Sequence, residues 1–392
     1  MFETLRHHVQ AIITDAPQQT PWGLGTFLSG ASMAYTTVVR ARNRVYSSGR
    51  KKPKRLPCPV VSVGNLTVGG TGKTPMVMYL AQWAREIGCR PVIISRGYKG
   101  KAEKTGGIVS NRHRCLMTAA EAGDEPFMLA HQLPGIPVLV GHNRYASGKR
   151  AVASFAPDLI ILDDGFQHRQ LHRDVNILLL DACRPLGNGR LLPRGPLREP
   201  ASNIHRADVI VMTRKRPGAN PISDLKALTD GIRATDMRRD RPIFCPCHVP
   251  YLHHRLFGST SMQNDTQTDA MALSVLKDRK VFAFSAIANN ENFHKTLTEM
   301  GCRIAGHANF SDHHHYGITD LQRIITEAER AGAEIIVTTQ KDETKIPENY
   351  KWPLELMVIG IRPNFGADTE TFHRFLGDRL FEPGRKEGTV TP

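Results

Sequence analysis

A short apolar run, Val60-Val61-Ser62-Val63, leads into a glycine-crowded turn, Gly69-Gly70-Thr71-Gly72-Lys73-Thr74, and then into a helix-patterned stretch from Pro75 to Glu86. Strand, glycine turn and helix in this order confine the chain to an α/β architecture. In such an arrangement the turn amides and the helix N-terminus face an anion. Lys73 adds a point charge, and the Thr74 hydroxyl suits Mg²⁺. The first glycine of the G-x-x-x-x-G-K-[ST] pattern falls at position 67, which is Thr, although Gly64, Gly69 and Gly70 crowd the same loop. Gly69, Gly70, Thr71, Gly72, Lys73 and Thr74 are therefore expected to bind nucleotide phosphates.

Further buried strands follow at Arg90 to Ser95, Val138 to Gly141, Leu159 to Asp164, Asn176 to Asp181 and Val209 to Thr213, with helical segments near Glu125 to Gln132 and Tyr145 to Phe155. Strands apolar on both faces and alternating with helices predict a parallel sheet covered on both sides. The 392 residues suit about two domains. The expected class is α/β: a P-loop NTPase-like parallel sheet domain over 56–214, a linker with β-strands over 215–280, and a second, smaller α/β domain with its tail over 281–392. The second domain is read from strands at Val281 to Ser285, Ile335 to Thr339 and Leu356 to Ile359, with helices at Asn292 to Met300 and Thr319 to Ala331.

Residues 1–55 form a separate leader. An uncharged stretch from Ala16 to Val39 carries Leu24, Phe27, Leu28, Ala31, Tyr35 and Val38 at helical spacing. Arg40, Arg42, Arg44, Arg50, Lys51, Lys52, Lys54 and Arg55 follow without one acidic residue between them. An amphipathic helix beside a basic run fits an anionic membrane surface, and its Gly, Ser and Thr content argues against a full span. The alternative is a helix that covers the core. The formal net charge of +15 also implies an acidic partner. Seven cysteines without paired CxxC spacing point to reduced thiols rather than a disulfide framework or a zinc site.

Asp163-Asp164 closes an apolar strand about 90 residues after Lys73, where a phosphate-loop enzyme places its Mg²⁺-holding acid. Asp124 opens a helical run as an N-cap or as a functional carboxylate. Arg96, Tyr98, Asn143, Arg144, Arg194 and Arg198 lie in loops after strands or in Gly/Pro turns, where Arg suits phosphate recognition. Ser311-Asp312-His313-His314-His315-Tyr316 is the densest titratable cluster. Adjacent histidines converge poorly on one ion, so a His partnering a catalytic carboxylate fits better.

Together, VSVGNLTVGGTGKTP at 61–75, SRGYKG at 95–100, GDEPFMLA at 123–130, VGHNR at 140–144, LDDGFQHRQLHRDVNILLLDA at 162–182, GRLLPRGPLREP at 189–200 and FSDHHHY at 310–316 resemble the tetraacyldisaccharide 4′-kinase family. The resemblance implies ATP and Mg²⁺ as cofactors and transfer of the γ-phosphoryl group to the 4′-hydroxyl of a tetraacylated disaccharide 1-phosphate lipid, giving lipid IVA. It implies two α/β/α domains with the active site in their cleft. It also implies a peripheral or monotopic place on the cytoplasmic face of the bacterial inner membrane, with no nucleic-acid partner. By position, Lys73 and the loop amides hold the β- and γ-phosphates, Thr74, Asp163 and Asp164 hold Mg²⁺, and Glu199 lies near the nucleotide or metal. Asp124 matches the general base and His313 its partner, with His314 as the neighbouring alternative and His315 an extra residue that loosens the register. Arg96, Tyr98, Asn143 and Arg144 face the disaccharide or its 1-phosphate.

Two other classes compete. A switch-type NTPase is suggested by Thr339-Gln340-Lys341-Asp342, which loosely resembles a guanine-reading Lys-x-Asp pattern but lacks the intervening residue; where Gln340 stands, the resembled family often has Glu. A nucleic-acid binder would use the Arg40 to Arg55 run as its electrostatic footprint.

Overall fold

The computed structural model describes residues 23–214, 241–258, 260–263, 273–287, 290–312, 314–347 and 350–381. The chain forms two compact units. Unit 1 comprises residues 1–96, 136–247 and 364–392, and unit 2 comprises 97–135 and 248–363. In chain order, unit 1 begins with α1 (Leu24–Ser47), β1 (Val60–Asn65), α2 (Lys73–Glu86) and β2 (Pro91–Ser95). Unit 2 takes up β3 (Gly107–Ser110), α3 (Ala119–Ala122) and α4 (Asp124–Gln132). Unit 1 resumes with β4 (Val138–Val140), α5 (Arg144–Phe155), β5 (Leu159–Asp163), β6 (Val175–Asp181), β7 (Val209–Thr213) and β8 (Ile243–Phe244). Unit 2 continues through β9 (Cys247–Gly258), β10 (Thr260–Gln263), β11 (Lys280–Ser285), α6 (Asn290–Glu299), β12 (Arg303–Asn309), α7 (Ile318–Arg330), β13 (Ile335–Thr339), α8 (Gln340–Glu343) and β14 (Trp352–Asn364). The helix α9 (Thr369–Phe381) belongs to unit 1.

The units are thus discontinuous, unlike the contiguous domains expected from the sequence. Local pattern reports periodicity, whereas unit membership depends on which surface a segment packs against. Residues 97–135 read as part of the first α/β repeat, yet they cluster with unit 2. The C-terminal helix α9, which the sequence reading leaves without an element, buries Phe372, Leu376 and Leu380 in unit 1. Its His373 is hydrogen-bonded to Tyr79 of α2 at 2.7 Å.

In unit 1 seven strands run in the order β4-β2-β5-β1-β6-β7-β8, and each neighbouring pair is parallel. β1 is buried along its whole length, as its unbroken apolar run requires in the middle of a parallel sheet. α2 buries eight of its 14 residues, including Met76, Leu80 and Trp83. Leu66, Phe166 and Leu197 join Leu178, Leu180 and Met212 in one apolar cluster. The first three lie in loops, and burying each contributes about 1.5–3 kcal/mol, so the core itself pins those loops.

Unit 2 carries a six-stranded sheet in the order β10-β9-β14-β13-β11-β12, with an antiparallel β9–β10 ribbon and parallel pairing among β11 to β14. One apolar cluster contains Phe284, Tyr316, Trp352 and Val358, and another contains Val281, Phe293, Val337 and Met357. These alternate along the strands, so the sheet buries both faces. α7 supplies Leu321, Ile324 and Ala328 from one stripe.

α1 is also two-sided. Leu28, Ser32, Val39 and Asn43 are buried, at spacings of four, seven and four, while Phe27, Met33 and Val38 are 72%, 75% and 68% exposed. No helix among the described residues is long and apolar enough to cross a membrane.

Candidate active site

The parallel order of unit 1 brings the C-terminal ends of β1, β2, β4 and β5 to one edge, the edge where such sheets bind ligands. β1 and β5 are paired with Val63 opposite Asp163, so the glycine turn and the Asp163-Asp164 pair become neighbours although about 90 residues separate them. β2 lies on the other side of β5, and Ser95 at its end donates its hydroxyl to Asp163 Oδ2 at 2.9 Å.

Gly72 caps α2 in the left-handed region (φ 81°, ψ 24°), a conformation that costs a residue with a Cβ and that turns the loop into the helix. No acidic residue occupies the first turn of α2. Its positive end is therefore uncompensated and suited to phosphate. The carbonyls of Gly70 and Thr71 are held by Arg214 Nη2 (2.5 Å) and the Thr213 hydroxyl (3.2 Å).

The missing glycine at position 67 has a structural reason. Thr67 forms a bridge to Leu197, while the Val68 amide donates to Pro196 O and the Arg198 amide to Leu66 O, at 2.8 and 2.7 Å. An extended backbone needs no glycine. The same pairing lays the 196–198 segment along the loop and brings the Arg198 guanidinium to Asp164 Oδ2 at 2.7 Å. Lys73 Nζ lies 3.9 Å from Asp164 Oδ1. Burial raises the Asp164 pKa, but Lys73, Arg198 and Arg144 outweigh it and hold the carboxyl below its ordinary value. Asp164 also sits at φ 51°, a conformation uncommon outside glycine and concentrated at functional sites.

These residues fit Mg²⁺. The donor set of Thr74, Asp163 and Asp164 consists of hard oxygens, and Asp164 Oδ1 is buried without a hydrogen-bond donor among the described residues.

Three expected positions also make internal contacts. Glu199 is 0% exposed, with Oε1 2.5 Å from Arg42 of α1 and Oε2 shared by Arg206 and the Asn203 amide at 2.8 Å. Its oxygens accept from Arg42, Arg206 and Asn203, so it also anchors the segment that carries Arg198. Asn143 caps α5, its side chain accepting the Ala146 N–H at 3.1 Å. Arg144 is only 4% exposed and acts on the charge of Asp164 rather than standing in an open loop. Beside it, burial followed by Arg144, Arg173 and His142 pushes His168 down to about 3, leaving a neutral imidazole.

In unit 2, Asp124 opens α4. The preceding Gly123 has φ 89°, and a Cβ there would meet Tyr98 O at 2.8 Å, so only glycine permits this turn against the 97–98 backbone. Asp124 Oδ1 faces His315 Nε2 at 3.7 Å, with side chains 13% and 64% exposed. The two line a recess of about 260 Å³ together with Tyr98, Lys99 and Gly123. His314 is bound elsewhere, to Asp320 at the start of α7 at 2.9 Å, and stacks on Phe310. His313, expected to partner the base, lies outside the described residues. The described histidine next to Asp124 is His315, the one the sequence reading treats as extra.

The Thr339 to Asp342 segment does not present a base-reading carboxylate. Asp342 is fully buried, paired with the equally buried Lys345 at 3.2 Å and accepting the Thr339 hydroxyl at 2.6 Å. Gln340 donates to Gln132 and Tyr251, which leaves the resemblance to a guanine-reading motif without chemical content.

Ser95, Arg42 and Arg206 were not legible as partners of these carboxylates. The only local hint was their position, Ser95 at a strand end and Arg42 in the basic run.

A family model described as tetraacyldisaccharide-1-P 4′-kinase matches residues 24–380. A tetraacyldisaccharide 4′-kinase from Syntrophus aciditrophicus is 42% identical over 335 residues, covering 84% of this chain and 86% of that protein. One from Desulfatibacillum aliphaticivorans is 37% identical over 379 residues, covering 96% and 98%. The crystal structure of an LpxK from Aquifex aeolicus in complex with ATP superposes with a TM-score of 0.70 at 33% identity, covering 91% of this chain and 100% of that one.

Proposed function

The chain belongs to the tetraacyldisaccharide-1-P 4′-kinase family, and from that premise we propose how its own residues carry out the transfer of the ATP γ-phosphoryl group to the 4′-hydroxyl of a tetraacyldisaccharide 1-phosphate. It is an ATP-dependent kinase acting in lipid A synthesis. The observation that carries the mechanistic reading is the cluster of Lys73, Arg198 and Asp164 beside a glycine-capped helix start.

Lys73 and the amides of 69–74 hold the β- and γ-phosphates. Thr74, Asp163 and Asp164 would hold Mg²⁺, which when bound neutralises charge on the phosphate oxygens. Ser95 and Arg198 fix the two carboxylates in place. Asp124 takes the proton of the 4′-hydroxyl as its oxygen forms the new bond to phosphorus, while the bond to the β-phosphate oxygen breaks and ADP leaves. His313, implied by the resemblance as the partner of the base, and His315, 3.7 Å from Asp124, are the imidazoles that would orient it. Tyr98, 58% exposed beside the Asp124 recess, offers a face for the sugar, and Arg96 a charge for the 1-phosphate.

The acceptor is a lipid, and α1 suits delivery from an anionic membrane surface. Its exposed Phe27, Met33 and Val38 precede the basic run that ends at Arg55. We read the enzyme as a peripheral protein of the cytoplasmic face of the inner membrane, a reading that this helix supports. Replacing all three apolar residues with Ser should reduce sedimentation with anionic vesicles, and unchanged sedimentation would refute the surface role.

The central test is direct. Protein with Mg²⁺ and ATP should phosphorylate a tetraacyldisaccharide 1-phosphate presented in detergent, yielding a 4′-phosphorylated lipid and ADP. A folded, ATP-binding preparation that forms no lipid product defeats the reading.

A further inference from the structure

Unit 2 gathers two imidazoles and a carboxylate that the phosphoryl-transfer chemistry does not use. We propose that His253 and His254 of β9 and Glu343 of α8 form a binding site for a zinc-class divalent cation. One ligand atom from each residue lies within 4.8 Å of the other two. Ligands on a tetrahedral ion at ~2.1 Å stand roughly 3.4 Å apart, so closing the site asks for side-chain shifts of about 1.5 Å or less.

Neighbours on a strand ordinarily point to opposite faces, which is why two adjacent histidines seldom share a partner. Here both do. The rings are 4.7 Å apart at 60°. His254 Nε2 lies 2.5 Å from Glu343 Oε1, and His253 Nε2 lies 3.9 Å from Glu343 Oε2. The second distance is too long for a hydrogen bond. Glu343 Oε2 is buried with no hydrogen-bond donor among the described residues. A carboxylate oxygen left so carries an unrepaid desolvation penalty. The His253 imidazole, too far from Glu343 to be hydrogen-bonded to it, can offer a ring-nitrogen lone pair. A cation between these groups satisfies both. Two imidazoles with one carboxylate suit zinc-class ions rather than Mg²⁺, and three protein ligands leave a coordination position for water.

The site ties β9 to α8. Gln340 of α8 donates to Gln132 of α4, the helix that begins at Asp124, so the ion would stiffen the support of the proposed base.

Full-length protein stripped of metal by a chelator is titrated with Zn²⁺ by calorimetry beside His254→Gln and Glu343→Gln, with folding checked by circular dichroism. One site is expected, weakened about tenfold or more in each variant. A variant with His313, His314 and His315 all changed to Asn should retain it. Equal Zn²⁺ affinity in wild type and both single variants overturns the proposal, as does loss of the site in the triple variant alone. If either single variant fails to fold, Co²⁺ spectra of His253→Asn decide: the tetrahedral visible bands of the wild type must be lost, and their persistence refutes the site. None of these readouts depends on turnover.

Discussion

Glu199 Oε1 and the Arg42 guanidinium meet at 2.5 Å across 157 residues of chain, joining the N-terminal helix to the segment that runs along the phosphate loop. α1 holds that segment twice more, through Ser32 to Leu191 O (2.8 Å) and Tyr35 to Arg198 O (3.0 Å). The surface helix is therefore part of the scaffold that positions Arg198.

Glu199→Gln is expected to lower unfolding free energy by about 3–5 kcal/mol, because it leaves the buried Arg206 charge without its counter-ion. Urea denaturation measures this. A wild-type midpoint combined with collapsed ATP affinity would instead support the nucleotide-side role that family resemblance implies for Glu199.

Arg198→Ala should reduce turnover by about 10²-fold, a magnitude typical of losing one fixed charged group at a reacting phosphate. It should also move the acid limb of the pH–rate profile upward. The sign follows from Asp164: burial raises its pKa and Lys73, Arg198 and Arg144 together depress it, so removing one cation lets the carboxyl protonate at higher pH. A profile that falls in height without shifting would show that Arg198 does not govern Asp164.

Asp124→Asn should lower kcat by about 10²–10⁴-fold with ATP binding intact, as expected for loss of a general base. His315→Asn should show a smaller loss in kcat than Asp124→Asn, as the histidine that faces Asp124 at 3.7 Å, and His313→Asn tests the partner implied by family resemblance. Rapid-quench rates on the three variants rank them. A larger loss in His313→Asn than in His315→Asn would assign the partner role to His313, and the opposite order to His315.

His168 makes the protein acid-sensitive. With its folded pKa near 3 and an ordinary value of 6.5, the unfolded chain binds the extra proton throughout that window. The stabilisation is complete above pH 6.5 and is lost as pH falls toward 3, at up to about 1.4 kcal/mol per pH unit. His168→Gln should flatten the stability–pH curve between pH 6.5 and the acid transition. An unchanged slope would mean that His168 is solvated and protonated in the folded protein.

The glycine turn, the buried strands around it and the acidic strand end at Asp163-Asp164 were legible because each depends on local rules: steric freedom, apolar runs and helix starts. The phosphate-binding half of the site followed from those signals. What each histidine meets was not legible, since consecutive histidines look alike in sequence and the described ones differ only in their surroundings, His314 at Asp320 and His315 near Asp124. Asn143 as a helix cap and Asp342 as half of a buried ion pair were equally hidden.

By itself, the sequence determined that the chain would build a parallel α/β sheet with a phosphate cradle at its edge, because periodicity and glycine placement act over a few residues. Tertiary structure alone decided that a threonine could stand where a glycine was expected, that Glu199 would be an internal anchor, and that residues 97–135 and α9 would each join the opposite unit from their chain neighbours. Those outcomes rest on contacts between segments tens to hundreds of residues apart, whose energies are set by mutual burial and charge pairing and leave no trace in local pattern.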